Sequence, residues 1–314
     1  MKCKKEQLIL ISVIVLLAGY LLAQKGGRTH YALPQLPKIE KKEITKLSLK
    51  KDSLQIDLER KGDGWTIEPQ GYPADRNVVD NMLGSVAGLS LSALVSEDEG
   101  LAAYGLDLAE RIEVKASTRD KLGRSFFVGK AVPSGRHTFV KLDKEKGIFH
   151  ADGDLQEVFD TNVPRLRDKT VMRINGEVHD IVLSKGKKKL TLVAVVPSGK
   201  EGEEKKKGQG SAEHRWKTAA GKPANDREVD GIISSLRDLP CDGFLEGKEK
   251  SDFSHPAYAV ALTGEKTYTL ALFKDKEKND SFDAVSSESA YPFRLAGWRA
   301  REIMKDFSVL TGTN

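Results

Sequence analysis

Hydrophobic positions in this chain follow three regimes: one unbroken apolar run, several stretches of period two, and two stretches of helical period. The run Leu8–Ala23 (LILISVIVLLAGYLLA) is sixteen residues without a charge. As a helix it spans roughly 24 Å at about 1.5 Å per residue, slightly less than a ~30 Å hydrocarbon core. Gln7 and Gln24 extend it into the interfaces. Lys2, Lys4 and Lys5 precede it, which orients the N-terminus to the cytoplasm and the body outside. A cleaved signal peptide has similar proportions, but Leu21 is a poor residue at −3 from a cut before Gln24. The sequence therefore favours an uncleaved signal anchor over residues 1–24. Residues 25–42 (KGGRTHYALPQLPKIEKK) mix glycine, proline and charge without periodicity and read as a stalk.

Beyond the stalk, two segments align without a gap at an offset of 150: PADRNVVDNMLGSVAGL from Pro73 to Leu89, and PANDREVDGIISSLRDL from Pro223 to Leu239. In each, a proline turn leads to an N-cap side chain, Asp75 in the first and Asn225 with Asp226 in the second. Apolar residues then recur at helical spacing: Val79, Met82, Leu83, Val86 and Leu89, then Val229, Ile232, Ile233, Leu236 and Leu239. Each helix must bury that stripe on a sheet. Trp65 and Trp216, each in a polar turn setting, precede the two helices.

Alternating stretches supply the sheet. Ile44, Leu47 and Leu49 with Leu54, Ile56 and Leu58 flank a turn at Lys51-Asp52-Ser53. Ile181 and Leu183 with Leu190, Leu192 and Val193 flank Ser184-Lys185-Gly186. Further strands follow each helix, at 111–116, 125–128, 138–142 and 147–150, and at 258–262, 268–273, 282–285 and 291–295. A short helix closes each copy, around Leu155, Val158 and Phe159 and around Ile303, Met304 and Phe307. The expected class is α+β: two similar halves from an internal duplication, residues 43–175 and 176–314. Each half is a mainly antiparallel sheet with packed helices, after one N-terminal transmembrane helix.

Composition adds little to this until it is partitioned. Of the formal charge of +5, Lys2, Lys4, Lys5, Lys25 and Arg28 against Glu6 place +4 in the first thirty residues and leave +1 for the other 284. The body gives no electrostatic case for nucleic acid. Two cysteines exclude a disulfide framework and a four-cysteine zinc site. The insert Pro197–Glu213 carries Lys205–Lys207, balanced locally by Glu201, Glu203 and Glu204, and reads as a loop.

The search for chemistry returns no catalytic, cofactor or metal residues. Six histidines show no zinc spacing, although His137 and His150 fall on neighbouring strands as a solvent-facing pair. No Gly-x-Ser-x-Gly elbow occurs. Cys241 reads as a buried small hydrophobe, and Val128-Gly129-Lys130 as the end of a strand. The carboxylate pairs Asp152/Asp154 and Asp98/Glu99 read as turn residues.

An ordered series of motifs remains: Trp65-Thr-Ile, the helix led by Pro73, Tyr104-Gly105-Leu106-Asp107, Phe127-Val128-Gly129, and Leu166-Arg167-Asp168-Lys169. It resembles the bacterial family known as domain of unknown function 4340, over roughly residues 45–310. Trp216 and Pro223 repeat part of the series. Phe253-Ser-His-Pro256 replaces the Tyr-Gly-Leu turn, and no second Leu-Arg-Asp-Lys follows. The resemblance implies one transmembrane helix, an extracytoplasmic body of no established activity, and company with an ABC transporter and its auxiliary subunit. The residues themselves suggest that Gly105 takes a positive φ and that Arg167 pairs with Asp168, with solvated turn residues as the alternative.

Two functions are consistent with these readings. One is a non-enzymatic module, held in the bacterial inner membrane by residues 8–23 with its body periplasmic, that binds a partner protein or envelope polymer. The other is an envelope hydrolase or ligand-binding enzyme with a cleft between the halves.

Overall fold

The computed structural model describes residues 12–20, 33–97, 100–119, 121–195, 215–274 and 280–312. They form two compact units that divide between Arg167 and Asp168.

The first unit begins with a meander of β1 (Ile44–Lys51), β2 (Leu54–Lys61), β3 (Gly64–Glu68) and the short β4 (Tyr72–Pro73). Helix α1 (Arg76–Ala87) then leads to β5 (Leu91–Ser96). A second meander follows: β6 (Ile112–Thr118), β7 (Lys121–Ala131), β8 (His137–Leu142) and β9 (Ile148–Asp152). Two short helices close the unit, α2 (Leu155–Phe159) and α3 (Val163–Leu166). The strands make one nine-stranded sheet in the order β4-β3-β2-β1-β6-β7-β8-β9-β5, antiparallel throughout.

The helix buries Val79, Met82, Leu83 and Val86 against this sheet. A helix about 10 Å wide covers only two or so strands at their ~4.8 Å spacing. Yet Ile67 on β3 and Ala151 on β9 lie in the same core cluster, so the twisted sheet curls around its helix. Asp75 caps α1 by accepting from Asn77 N at 2.8 Å and Val78 N at 3.1 Å. At the other end, Arg124 on β7 donates to Val86 O and, at 2.6 Å, to Pro37 O. Burial pushes its guanidinium pKa below the usual arginine value. Arg124 thereby joins the helix end to the segment 33–40, whose Leu33, Leu36 and Ile39 pack on the core.

The second unit opens with β10 (Thr170–Arg173), followed by β11 (Asp180–Lys185), β12 (Lys188–Ala194), β13 (Trp216–Thr218) and helix α4 (Asp226–Arg237). Next come β14 (Asp238–Pro240), which pairs with β10, and β15 (Gly243–Phe244). The closing meander is β16 (Tyr258–Thr263), β17 (Thr267–Lys274), β18 (Ser281–Ser286) and β19 (Phe293–Ala296), with helices α5 (Gly297–Ile303) and α6 (Phe307–Thr311). Its eight-stranded sheet runs β13-β12-β11-β16-β17-β18-β19-β15. Strand for strand, from β3 to β5, this is the order of the first sheet. The locks at the helix starts match too. Ala74 N donates to Trp65 O and Asp75 N to Leu166 O at 2.9 and 2.7 Å; Ala224 N donates to Trp216 O and Asn225 N to Leu310 O at 2.9 and 2.8 Å.

Several expectations are corrected. The described residues are mostly β, built on large antiparallel sheets, which overturns the expected helix-packed α+β class. Among the described residues no helix is long and apolar enough to cross a membrane. Residues 12–20 are helical, while the rest of the Leu8–Ala23 run lies outside the described residues. The strand content was underestimated because β5, β14 and β15 are short or irregular: β5 shifts register twice against β9, which destroys its alternation. Trp65 and Trp216 sit buried on β3 and β13, not in turns. The Asn225 side chain makes no cap bond. Asp226 instead accepts from Arg215 N and Trp216 N at 3.0 and 2.8 Å, and so ties the edge strand to the helix. The insert Pro197–Glu213, Asp98/Glu99 and residues 25–32 of the stalk lie outside the described residues.

Candidate binding faces on the outer side of each sheet

Because strand residues alternate sides, each sheet has a second face turned away from its helix. In the first unit a loop after the helical turn Leu101–Tyr104 folds over that face. Gly105 takes φ +64°, a left-handed conformation that reverses the chain. Leu106 is then buried against Gly129 of β7. A side chain at Gly129 would overlap the Tyr104 carbonyl oxygen and crowd Leu106 Cγ at 2.9 Å. Asp107 closes the loop, accepting from Ala109 N and Glu110 N at 2.9 and 3.1 Å. Val128-Gly129-Lys130 lies near the end of β7, which stops at Ala131 before a turn.

Beside this loop runs an aromatic row. Tyr104 meets Phe139 edge-on at 5.0 Å, Phe139 meets His150 at 5.1 Å, and His150 stacks on His137 at 5.5 Å. His137 Nε2 lies 3.5 Å from Asp152. Burial pushes the His150 pKa below the ordinary imidazole value, and neighbouring His137 adds to the shift. Leu108, on the same loop, is 75% exposed.

The register carries this geometry into the second unit. Leu49 pairs with Val114 and Leu183 with Val260, so Ile112 corresponds to Tyr258. Those residues pair with Val128 and Leu272, which in turn pair with Val140 and Ala284. Gly129 thus corresponds to Phe273. The pair Phe139/His150 corresponds to the pair Asp283/Arg294. His255, at φ +61°, takes the left-handed turn before the strand as Gly105 does.

The same place on the second sheet is an open cleft of about 700 Å³. Phe253 and Phe273 form one wall at 5.2 Å. Asp283 is 8% exposed at the floor. Its Oδ1 lies 3.3 Å from Arg294 and its Oδ2 3.6 Å from Lys248, whose ammonium also sits 5.6 Å from the Phe253 ring. Lys250 anchors the overlying loop, donating to Ser286 O at 2.7 Å, and burial pushes its ammonium pKa below the usual lysine range.

The motif positions read from sequence separate into two sets. Tyr104, Gly105, Leu106 and Asp107 come together with Gly129 on the outer face. Trp65, Pro73 and Arg167 gather at the start of α1, where Arg167 is buried with its guanidinium 3.8 Å from the Tyr72 ring centroid and its backbone bridges to Ala74. Asp168 accepts from Thr170 N at 2.8 Å. Trp216 donates from Nε1 to Asp230 at 3.2 Å, and Pro223 bridges to Lys217. Cys241 is buried. Among the described residues no group of three or more His, Cys, Asp or Glu is placed to hold a metal ion. Sequence reading missed Lys248, Phe273, Asp283 and Arg294. Of these, Asp283 and Arg294 alone carry a signal, being charged at the positions equivalent to the Phe139/His150 pair of the first copy.

A family model described as a domain of unknown function (DUF4340) matches residues 65–257. The chain belongs to the DUF4340 family. The match starts at Trp65 on β3 and ends at Ala257, just before β16. It thus takes in the Tyr104–Asp107 loop and the loop that carries Phe253. No curated protein and no solved structure matches the chain.

Proposed function

We propose that this DUF4340 protein is a membrane-tethered, extracytoplasmic binding module that serves as an accessory to an ABC-type transporter. The observation that carries the reading is the pair of equivalent outer faces. Each is overlaid by a loop, and both present half-buried aromatic rings to solvent, one beside exposed Leu108 and one beside a charged cleft. Aromatic side chains exposed beside charged ones are the usual anchors of recognition surfaces. The lysines before the apolar run, and the near-neutral charge of the body, support the tether and its orientation.

Affinity purification of the full chain from gently solubilised membranes tests this reading. It is expected to recover transporter subunits, and protease added outside the cytoplasmic membrane is expected to reach the body. Recovery of no envelope protein, with a body protected from that protease, contradicts it.

A further inference from the structure

The register of the first sheet shows which of its ends receives the N-terminal segment. Ile44, the first residue of β1, pairs with Thr118 at the close of β6, whereas Lys51 pairs with Ile112 and with Leu54. The β6–β7 turn therefore lies at the end where β1 begins, and the β1–β2 turn at the opposite end. The eleven residues of β7, Lys121–Ala131, separate the two ends by about 36 Å at ~3.3 Å per residue. Residues 33–40 join the end that holds the β6–β7 turn. Arg124 donates to Pro37 O there at 2.6 Å. Pro34, Leu36 and Pro37 face Leu122 and Leu142 around a groove of about 210 Å³. Leu122 is 52% exposed. The other large exposed hydrophobic residues described in this body, Leu54 and Leu108, lie towards the opposite end, one in the β1–β2 turn and one just before β6.

Residues 24–32 alone separate the apolar run from Leu33. Fully drawn out they span about 30 Å at ~3.3–3.6 Å per residue, and as a flexible coil about 17 Å. The end that holds Pro34 is thus kept close to the apolar run, while the opposite end lies beyond that coil length. We infer that this end of the first sheet rests on the surface of a phospholipid bilayer, with Leu122 and the Pro34–Pro37 segment set into the headgroup layer. The inference rests on the membrane tether proposed above. Apolar area carries the contact: Leu122 and Pro37 are exposed and Pro34 and Leu36 half-buried, and an interfacial position removes all four from water. Net charge does not carry it, since exposed Asp143 and Glu145 offset exposed Lys144 and Lys146. Arg119 and Lys121, which flank Asp120 just ahead of Leu122, reach lipid phosphates while Leu122 enters the layer. Docking in this sense gives recognition a direction. Leu106 packs on Gly129, next to Val128, which pairs with Ile112. The Tyr104–Asp107 loop therefore lies towards the end away from the bilayer, where a neighbouring protein reaches it.

The test uses the full chain reconstituted into vesicles of phosphatidylethanolamine and phosphatidylglycerol, with a photoreactive residue in place of exposed Leu122 or of exposed Leu54. Lipid joined to the chain on irradiation is quantified by mass spectrometry, and melting curves confirm that both variants are folded. Position 122 is expected to give at least ~10-fold more lipid adduct than position 54, because it alone enters the headgroup layer. A second pair of variants carries a flexible Gly-Ser spacer of about twenty residues after Arg28. Tethering without docking loses effective concentration about sixfold on that lengthening and lets the body turn freely, so the two positions would converge. A docked end keeps its own contact, and the ratio of yields should stay within about twofold. Equal yields from the two positions, or a ratio that falls to one with the spacer, overturn the inference. Vesicle flotation separates it from the reading on which it rests. If the chain floats with the lipid while position 122 gives no excess, the docking falls and the tether stands; if the chain does not float, both fall.

Discussion

At the scale of single residues, the glycines of the first outer face test the packing argument most cleanly. Gly129→Ala is expected to destabilise the chain by ~1–3 kcal/mol, because the new methyl meets the Tyr104 carbonyl and Leu106 in a filled interface. Gly231→Ala, on the exposed side of α4 with nothing within 4 Å, should instead stabilise by roughly 0.5–1 kcal/mol. Denaturant titration of both variants checks the pair of signs. His150 provides a pH test. Its folded-state pKa lies below the unfolded value of about 6.5, so the unfolded chain binds the proton more readily in that window. Its contribution therefore favours the fold above pH ~6.5 and is lost progressively as pH falls through the window. An NMR titration should find the His150 midpoint below 6.5, and His137→Asn should move it upward by removing the neighbouring imidazolium.

At the scale of elements, what was legible followed from period. Val79, Met82, Leu83 and Val86, and their counterparts Val229, Ile232, Ile233 and Leu236, read directly as buried helix stripes because each helix has one face on a sheet. The long hairpins read equally well. Edge elements did not: β15 is two residues long, and β13 is a Trp-Lys-Thr triplet whose burial no local pattern announces. The caps show the same limit. Asp75→Ala is expected to cost about 1 kcal/mol, because Asp75 receives two backbone N–H bonds. Asn225→Ala, with no cap bond to lose, should cost less than ~0.5 kcal/mol. Thermal melts of the two variants, made side by side, distinguish a cap that works through its side chain from one that does not. The candidate cleft was illegible for a related reason. Lys248 lies on a loop, and Asp283 and Arg294 lie on outer-face positions of β18 and β19, where charge is the ordinary state of a strand. Only the register between the two copies brings out the equivalence of Asp283 and Arg294 to the Phe139/His150 pair.

At the scale of the whole molecule, duplication followed by divergence is the organising event. Both units keep the same strand order, the same backbone locks at the helix start, and an ion pair from the first hairpin to the closing helices, Lys51 with Asp160 and Lys185 with Asp306. They differ on the outer faces, where the first unit's loop packs on Gly129 beside half-buried rings and the second leaves a cleft. The proposed function belongs to those faces, with the N-terminal lysines proposed to orient the chain. Site-specific photocrosslinking in living cells tests that claim most directly, with the photoreactive residue placed at exposed Leu108 on the first outer face or at exposed Leu54 on the hairpin between β1 and β2. The account predicts a crosslink from position 108 to an envelope transporter subunit and none from position 54. Crosslinks of equal yield from both positions, or from position 54 alone, would contradict it.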